Sequence, residues 1–295
     1  MPVRKLAHAA LLGLFAAVPT LLTVPAQAAS DYTVPFPAHH VAGNVYFVGT
    51  KGQANYLITT PEGNILVNSG LETSLPLTKQ SIAKLGFKYS DTKILLISHA
   101  HFDHDAASAQ VVKDTGAKYE VMAADVPVVQ SGGKTDFQYG VRGGENLYPP
   151  AKVDRVLHDG DTVALGGTVL TAHLTPGHTK GCTTWTLKVK DGGKLLDVVI
   201  IGSPNVNAGY VLVGNKLYPQ IAQDFEKTFR VLKSLPVDVF LGAHGAYYGM
   251  DAKYAQMKAG GPNVFVDPAG YRAYVADRET AFRKELARQQ AGGKP

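Results

Sequence analysis

The stretch His99-Ala100-His101-Phe102-Asp103-His104 places four metal-capable side chains within six residues. Crowded together, these groups would repel one another once protonated, and would lack partners if buried without a cation. In extended chain His99 and His101 point to one side. A turn then carries Asp103 and His104 round to a neighbouring point, so one stretch can serve two adjacent cations. Neutral imidazole suits zinc, and one carboxylate beside it is compatible with a catalytic rather than a sealed structural site. A polar turn whose histidines merely cap a helix would leave the crowding unexplained.

Two more histidines have similar settings. His178 lies in Thr175-Pro176-Gly177-His178-Thr179 and His244 in Gly242-Ala243-His244-Gly245, each directly after an apolar run. Adjacent glycines allow the backbone to approach a site closely. Singly, either reads as an ordinary loop histidine. Beside the first cluster, each becomes the remaining ligand of one metal. His39, His40, His158 and His173 lack this setting and are read as non-ligands. His173 lies within the run leading to His178.

The elements that must position these groups can be read from periodicity. Asn44 to Thr60 and Ile65 to Asn68 have strand character around the turn Pro61-Glu62-Gly63-Asn64, which predicts a hairpin. Leu77 to Leu85 has helical spacing, with Gly86 as a stop. Thr92 to Ser98 is apolar without alternation, as in a strand covered on both faces, and the histidine cluster follows it. Asp105 to Thr115 is helical and Tyr119 to Ala123 is a strand. Residues 129 to 150 read as a long surface loop. Thr162 to Leu165, Thr168 to Leu174, Thr183 to Val189 and Leu195 to Ile201 are strands. Tyr218 to Leu235 is an amphipathic helix, Val237 to Leu241 a strand, and Asp267 to Gln290 a helical tail. Alternating strands and helices, with candidate ligands at strand ends, indicate an α/β protein.

Composition bounds the rest. The body of the chain has no apolar run of membrane-spanning length. At the N-terminus, Arg4 and Lys5 precede the apolar stretch Ala9 to Val24, and Ala26-Gln27-Ala28 supplies small residues for cleavage. Residues 1–28 therefore read as a secretory signal peptide, with 29–295 as a single domain. Cleavage would lower the formal charge from +5 to +3, with no basic run to suggest nucleic-acid binding. Cys182 is the only cysteine, so the domain has no internal disulfide, and its setting between Gly181 and Thr183 suits a small buried hydrophobe.

With these residues in view, the sequence resembles the metallo-β-lactamase superfamily, whose hallmark is His-x-His-x-Asp-His, and within it subclass B3. Three features carry the narrower resemblance. His104 follows Asp103 where the best-known subclass has a non-ligand such as arginine. Ser203 stands where that subclass has a cysteine ligand, and Cys182 lies too early in the chain to replace it. The segments Thr175 to Trp185 and Leu212 to Ile221 also read like subclass B3. The resemblance implies a four-layered αβ/βα sandwich with two Zn²⁺ ions per chain. His99, His101 and His178 would hold the first zinc, and Asp103, His104 and His244 the second. Ser203 would line the site and contact the substrate carboxylate. Asn68 departs from the aspartate found there in many members, and contributes no negative charge beneath the site.

The resemblance implies hydrolysis of the β-lactam amide of penicillins, cephalosporins and carbapenems by a metal-bound hydroxide, with Asp103 orienting that hydroxide. Ser81 and Lys84 have Ser-x-x-Lys spacing, but the companion motifs of a serine β-lactamase are missing. A glyoxalase II-like thioesterase or a lactonase on the same scaffold is the nearest alternative, although such enzymes generally carry a bridging aspartate where this chain has Gly202-Ser203. An exported zinc-binding protein is the non-enzymatic alternative, and three protein ligands per metal, leaving open positions, favour catalysis over storage. The expected protein is a periplasmic monomer acting on a small-molecule β-lactam, with no nucleic-acid partner and no membrane association after cleavage.

Overall fold

The apolar run before the histidine cluster forms the strand Thr92–Leu96, and in the computed structural model, which describes residues 29–295, both of its faces are covered. It is β5 of a seven-stranded sheet. In spatial order the sheet runs β1 (His39–Ala42), β2 (Val45–Phe47), β3 (Tyr56–Thr60), β4 (Gly63–Val67), β5, β6 (Lys118–Met122) and β7 (Arg155–Leu157). Strands β1 to β4 pair antiparallel, and β4 to β7 pair parallel. Parallel pairing demands crossovers, here supplied by α1 (Leu75–Lys84), α2 (Phe102–Asp105) with α3 (Ser108–Thr115), and α4 (Val126–Ser131). The second sheet is ordered β12 (Val239–Gly242), β11 (Lys194–Ile201), β10 (Thr183–Asp191), β9 (Thr168–Leu174), β8 (Thr162–Leu165), and only β11 and β12 are parallel.

Side-chain alternation divides the core between the faces. Leu66, Leu95 and Ile97 point outward to Leu75, Ile82 and Val111 on the helices. Ile65, Val67, Ile94 and Leu96 point inward to the second sheet, where Ala172, Trp185, Leu187 and Ile200 share their core. Beyond that sheet, Phe225 and Phe229 of α5 (Ile221–Ser234) meet Phe282 of α7 (Pro268–Gln290). The result is the expected αβ/βα sandwich. The remaining helix, α6 (Met250–Lys258), is largely exposed.

Four local readings need correction. The predicted strand Asn44 to Thr60 is broken by a loop at 48–55, where Val48 N–H donates to Asn55 O and Thr50 N–H to Gln53 O. That loop docks on the second sheet through Ala54 N–H to Ala243 O at 3.1 Å. The predicted helix from Asp105 is interrupted before Ser108, because the ligand stretch forms its own turn, α2. Helix α5 starts at Ile221 rather than Tyr218, since a residue directly before proline, here Tyr218 before Pro219, is disfavoured in the helical conformation. Segment 129–150 begins within α4 and contributes buried Asp136, Phe137, Gln138 and Tyr148, so it is more than a surface loop. The signal-peptide reading of residues 1–28 lies outside the described residues. Among those described, no helix is long and apolar enough to cross a membrane.

Candidate metal centre

The two sheets are stitched together at the edge where the histidines gather. Trp185 Nε1 donates to Ile97 O at 3.0 Å, Thr183 N–H to Ser98 O at 2.7 Å, and the Tyr56 hydroxyl to Gly242 O at 2.8 Å. These bonds fix the end of β5 against β10 and the start of β3 against the end of β12. His99 to His104 therefore leave β5 within reach of His178, between β9 and β10, and of His244, just after β12. Gly177 beside His178 has φ +125°, and a Cβ there would stand 2.7 Å from the Phe225 ring, so only glycine lets this loop lie so low on α5.

All six expected ligands converge. Potential donor atoms of His99, His101 and His178 lie within 4.8 Å of one another, as do those of His99, Asp103 and His104. His99 is the central ring, with centroids 4.8, 4.3 and 4.6 Å from those of His101, His104 and His178. His244 Nε2 is 3.1 Å from His104 Nε2 and 3.5 Å from Asp103 Oδ2. His39, His40, His158 and His173 lie elsewhere. His39 packs among Phe36, Phe47 and Phe265, and His173 bonds Thr186 Oγ1 at 2.8 Å.

The arrangement fits bound cations. His178 Nδ1 and His244 Nδ1 each lie 2.8 Å from a backbone carbonyl, of Asn205 and Gly52. A carbonyl only accepts, so Nδ1 must carry the proton and Nε2 presents a lone pair to the cluster. His244 Nε2 and His104 Nε2 then face each other at a distance that calls for a shared proton or a metal. Among the described residues, buried His101 Nε2 and His104 Nδ1 find no hydrogen-bond partner. Burial, reinforced by neighbouring imidazoles, holds His99 well below the usual histidine range and lowers His178 to about 3. Burial and His104 together lower His244 to about 4. These three imidazoles are neutral at pH 7, the form in which a histidine can bind a metal. Burial acts to raise the Asp103 carboxyl, but His104, His244 and His101 outweigh it and keep the group ionised.

Other expected positions are more nuanced. Ser203 follows β11 beside the cluster, but its hydroxyl is buried and lies 3.1 Å from Tyr247 Oη and 3.3 Å from Asn205 Nδ2. Asn205 and Tyr247, with Asn207, line the open space next to His244. Cys182 Sγ receives the Ser203 N–H at 3.2 Å, and burial pushes its thiol up to about 12, so no thiolate is offered to a metal. Asn68 adopts φ +66°, donates to Ala54 O and accepts Ser98 N–H, bracing the strands under the cluster.

Several contributors carry no motif signal. Gln53 Nε2 donates to Asp103 O at 2.6 Å from the 48–55 loop. Tyr32 stacks on His244 at 6.1 Å. Asp136 Oδ2 stands 3.7 Å from His101 Nε2, and Tyr139 meets the His101 ring edge-on at 4.8 Å. Each lies outside the strands and α-helices, in a segment far along the chain from the residue it meets.

A four-layered sandwich with five imidazoles and a carboxylate at the shared edge of its sheets defines a zinc metallohydrolase. The chain belongs to the metallo-beta-lactamase superfamily, whose sequence profile matches residues 48–244. It is 54% identical to native FEZ-1 metallo-beta-lactamase from Legionella gormanii, covering 88% of this chain and 98% of that one with a TM-score of 0.86. BJP-1, a subclass B3 metallo-beta-lactamase of Bradyrhizobium japonicum, is 40% identical over 90% of this chain and 99% of its own, with a TM-score of 0.84. LRA-12, a class B3 di-zinc metallo-beta-lactamase from an Alaskan soil metagenome, is 35% identical over 90% and 98%, with a TM-score of 0.82.

Proposed function

We propose that this protein is an exported, monomeric subclass B3-like β-lactamase that opens the amide of penicillins, cephalosporins and carbapenems. The observation that carries the reading is His104 paired with His244 across 3.1 Å, in a chain 54% identical to a metallo-beta-lactamase. His99, His101 and His178 would hold one zinc, and Asp103, His104 and His244 the other. Three protein ligands per ion leave room for water and substrate. Zinc, when bound, supplies Lewis acidity and lowers the pKa of water to about 7.

The chain's own residues do the positioning. Asp103, kept ionised by the histidines around it, accepts a hydrogen bond from the attacking water and orients it toward the amide carbon. Ser203 holds Asn205 and Tyr247 at the open side, where polar groups would meet the substrate carboxylate. No nucleophilic side chain is required: Ser81 and Lys84 lie on α1, outside the first sheet. Asp197 points away from the cluster to Lys188 at 2.6 Å, so it does not supply the bridging carboxylate of a thioesterase. Arg4, Lys5 and the Ala26-Gln27-Ala28 triplet support export to the periplasm with cleavage after Ala28.

Nitrocefin, a chromogenic cephalosporin, tests the reading. Protein lacking residues 1–28 is expected to hydrolyse it when zinc-loaded, lose turnover with a chelator and regain it on adding zinc. Cleavage of thioesters or lactones but not of nitrocefin or a carbapenem, with two zinc equivalents bound, would replace β-lactamase by the alternative hydrolase.

A further inference from the structure

Outside the six converging side chains, one buried carboxylate grips the backbone beside three of them. Asp125, just before α4, is 1% exposed. Its Oδ2 accepts Ala100 N–H at 2.9 Å and the Thr179 hydroxyl at 2.8 Å, while Oδ1 accepts Gly181 N–H at 2.8 Å. Ala100 separates His99 from His101, and Thr179 follows His178. A single carboxylate thus ties together the two chain segments that carry the first zinc's three histidines. It touches neither His244 nor the loop that bears it.

The close approach is built in. A Cβ on Gly181 would stand 2.7 Å from both Cβ and Cγ of Asp125, so a larger residue would push the carboxylate off the ligand loops. Asp125 is also electrostatically unusual. Burial pushes its carboxyl above the ordinary carboxylate value, three hydrogen bonds oppose that, and among the described residues no lysine or arginine pairs with it. A buried anion without a cation is costly. Three neutral imidazoles around a dication, conversely, supply no counter-charge. Asp125 and the first zinc complete each other's requirement.

We infer that Asp125 is the positioning residue of the first metal site, fixing the spacing of His99, His101 and His178 and favouring a dication there by its charge. The inference rests on the ligand assignment proposed above. Asparagine at this position retains one oxygen but turns an amide N–H₂ toward a backbone donor, so a bond and the charge are lost together.

The test is a zinc titration of metal-stripped protein against a chromophoric chelator, for the parent, Asp125→Asn and Thr179→Val, with thermal unfolding of the metal-free forms alongside. A His244→Ala background leaves the three-histidine set intact, so its remaining zinc equivalent reads the first site alone. In that background Asp125→Asn is expected to weaken zinc about 10–100-fold, as losses of partners behind metal ligands do. Thr179→Val, which keeps both backbone bonds, is expected to lose less, and Thr179→Ser to restore parent affinity. A purely structural residue would lower the metal-free Tm while leaving zinc affinity unchanged, and that result overturns the inference. If Asp125→Asn does not fold, first-site affinity unchanged in Thr179→Val overturns it equally. A parent that holds fewer than two zinc ions refutes the ligand assignment itself, and the inference with it.

Discussion

At Asn68, two backbone groups decide between an amide and a carboxylate. The side chain donates to Ala54 O at 3.1 Å and accepts Ser98 N–H at 2.7 Å, using both halves of the amide. Asparagine also tolerates the left-handed conformation found there. From sequence, Asn68 stood out as a missing negative charge beneath the metals; in the fold it is a brace between strands. Asn68→Asp is expected to destabilise the protein by about 1–3 kcal/mol, because a carboxylate cannot donate and would face a carbonyl. Urea unfolding of the metal-free protein checks this, with an undiminished midpoint counting against the brace.

Among the elements, β1 shows how burial substitutes for bonding. His39 has its Nδ1 tied to Pro37 O at 2.8 Å, while Nε2 is buried without a partner among Phe47, Tyr254 and Phe265. Burial lowers its pKa below the ordinary histidine value. The unfolded chain therefore takes up this proton first, and stability falls as pH drops below about 6.5, levelling off only below the folded-state value. His39→Phe removes that term. The difference in Tm between His39→Phe and the parent is expected to shift in favour of the variant from pH 7.5 to pH 5.5. A pH-independent difference would mean that His39 takes up its proton equally in the folded and unfolded states.

For the whole molecule, the converging histidines and Asp103 come from both sheets, so metal held as proposed would close the sandwich at one edge. Because the unfolded chain scatters these ligands, zinc binding adds directly to folding stability. Free zinc at a hundred times Kd is expected to contribute about 2.7 kcal/mol per site, raising Tm by roughly 5–10 °C, and excess chelator should reverse the rise. Calorimetry with and without zinc reads it; equal Tm values would show that the native edge does not bind zinc preferentially.

The residues that converge at the sheet edge were legible in the sequence because side-chain chemistry repeats locally: three histidines and an aspartate crowd one strand end, and glycines lie beside His178 and His244. Most strands were legible too, since apolar runs such as those of β5 and β11 report burial without reference to anything distant. Short β7 and the largely exposed α6 gave no such signal. What only the tertiary structure decided is which groups from other segments stand behind the cluster. Gln53, Asp125 and Asp136 meet the cluster through hydrogen bonds or short contacts between segments far apart in the chain, and neither composition nor periodicity encodes such a meeting. Chemistry is carried by residue type, whereas distance between remote residues exists only once the two sheets have packed.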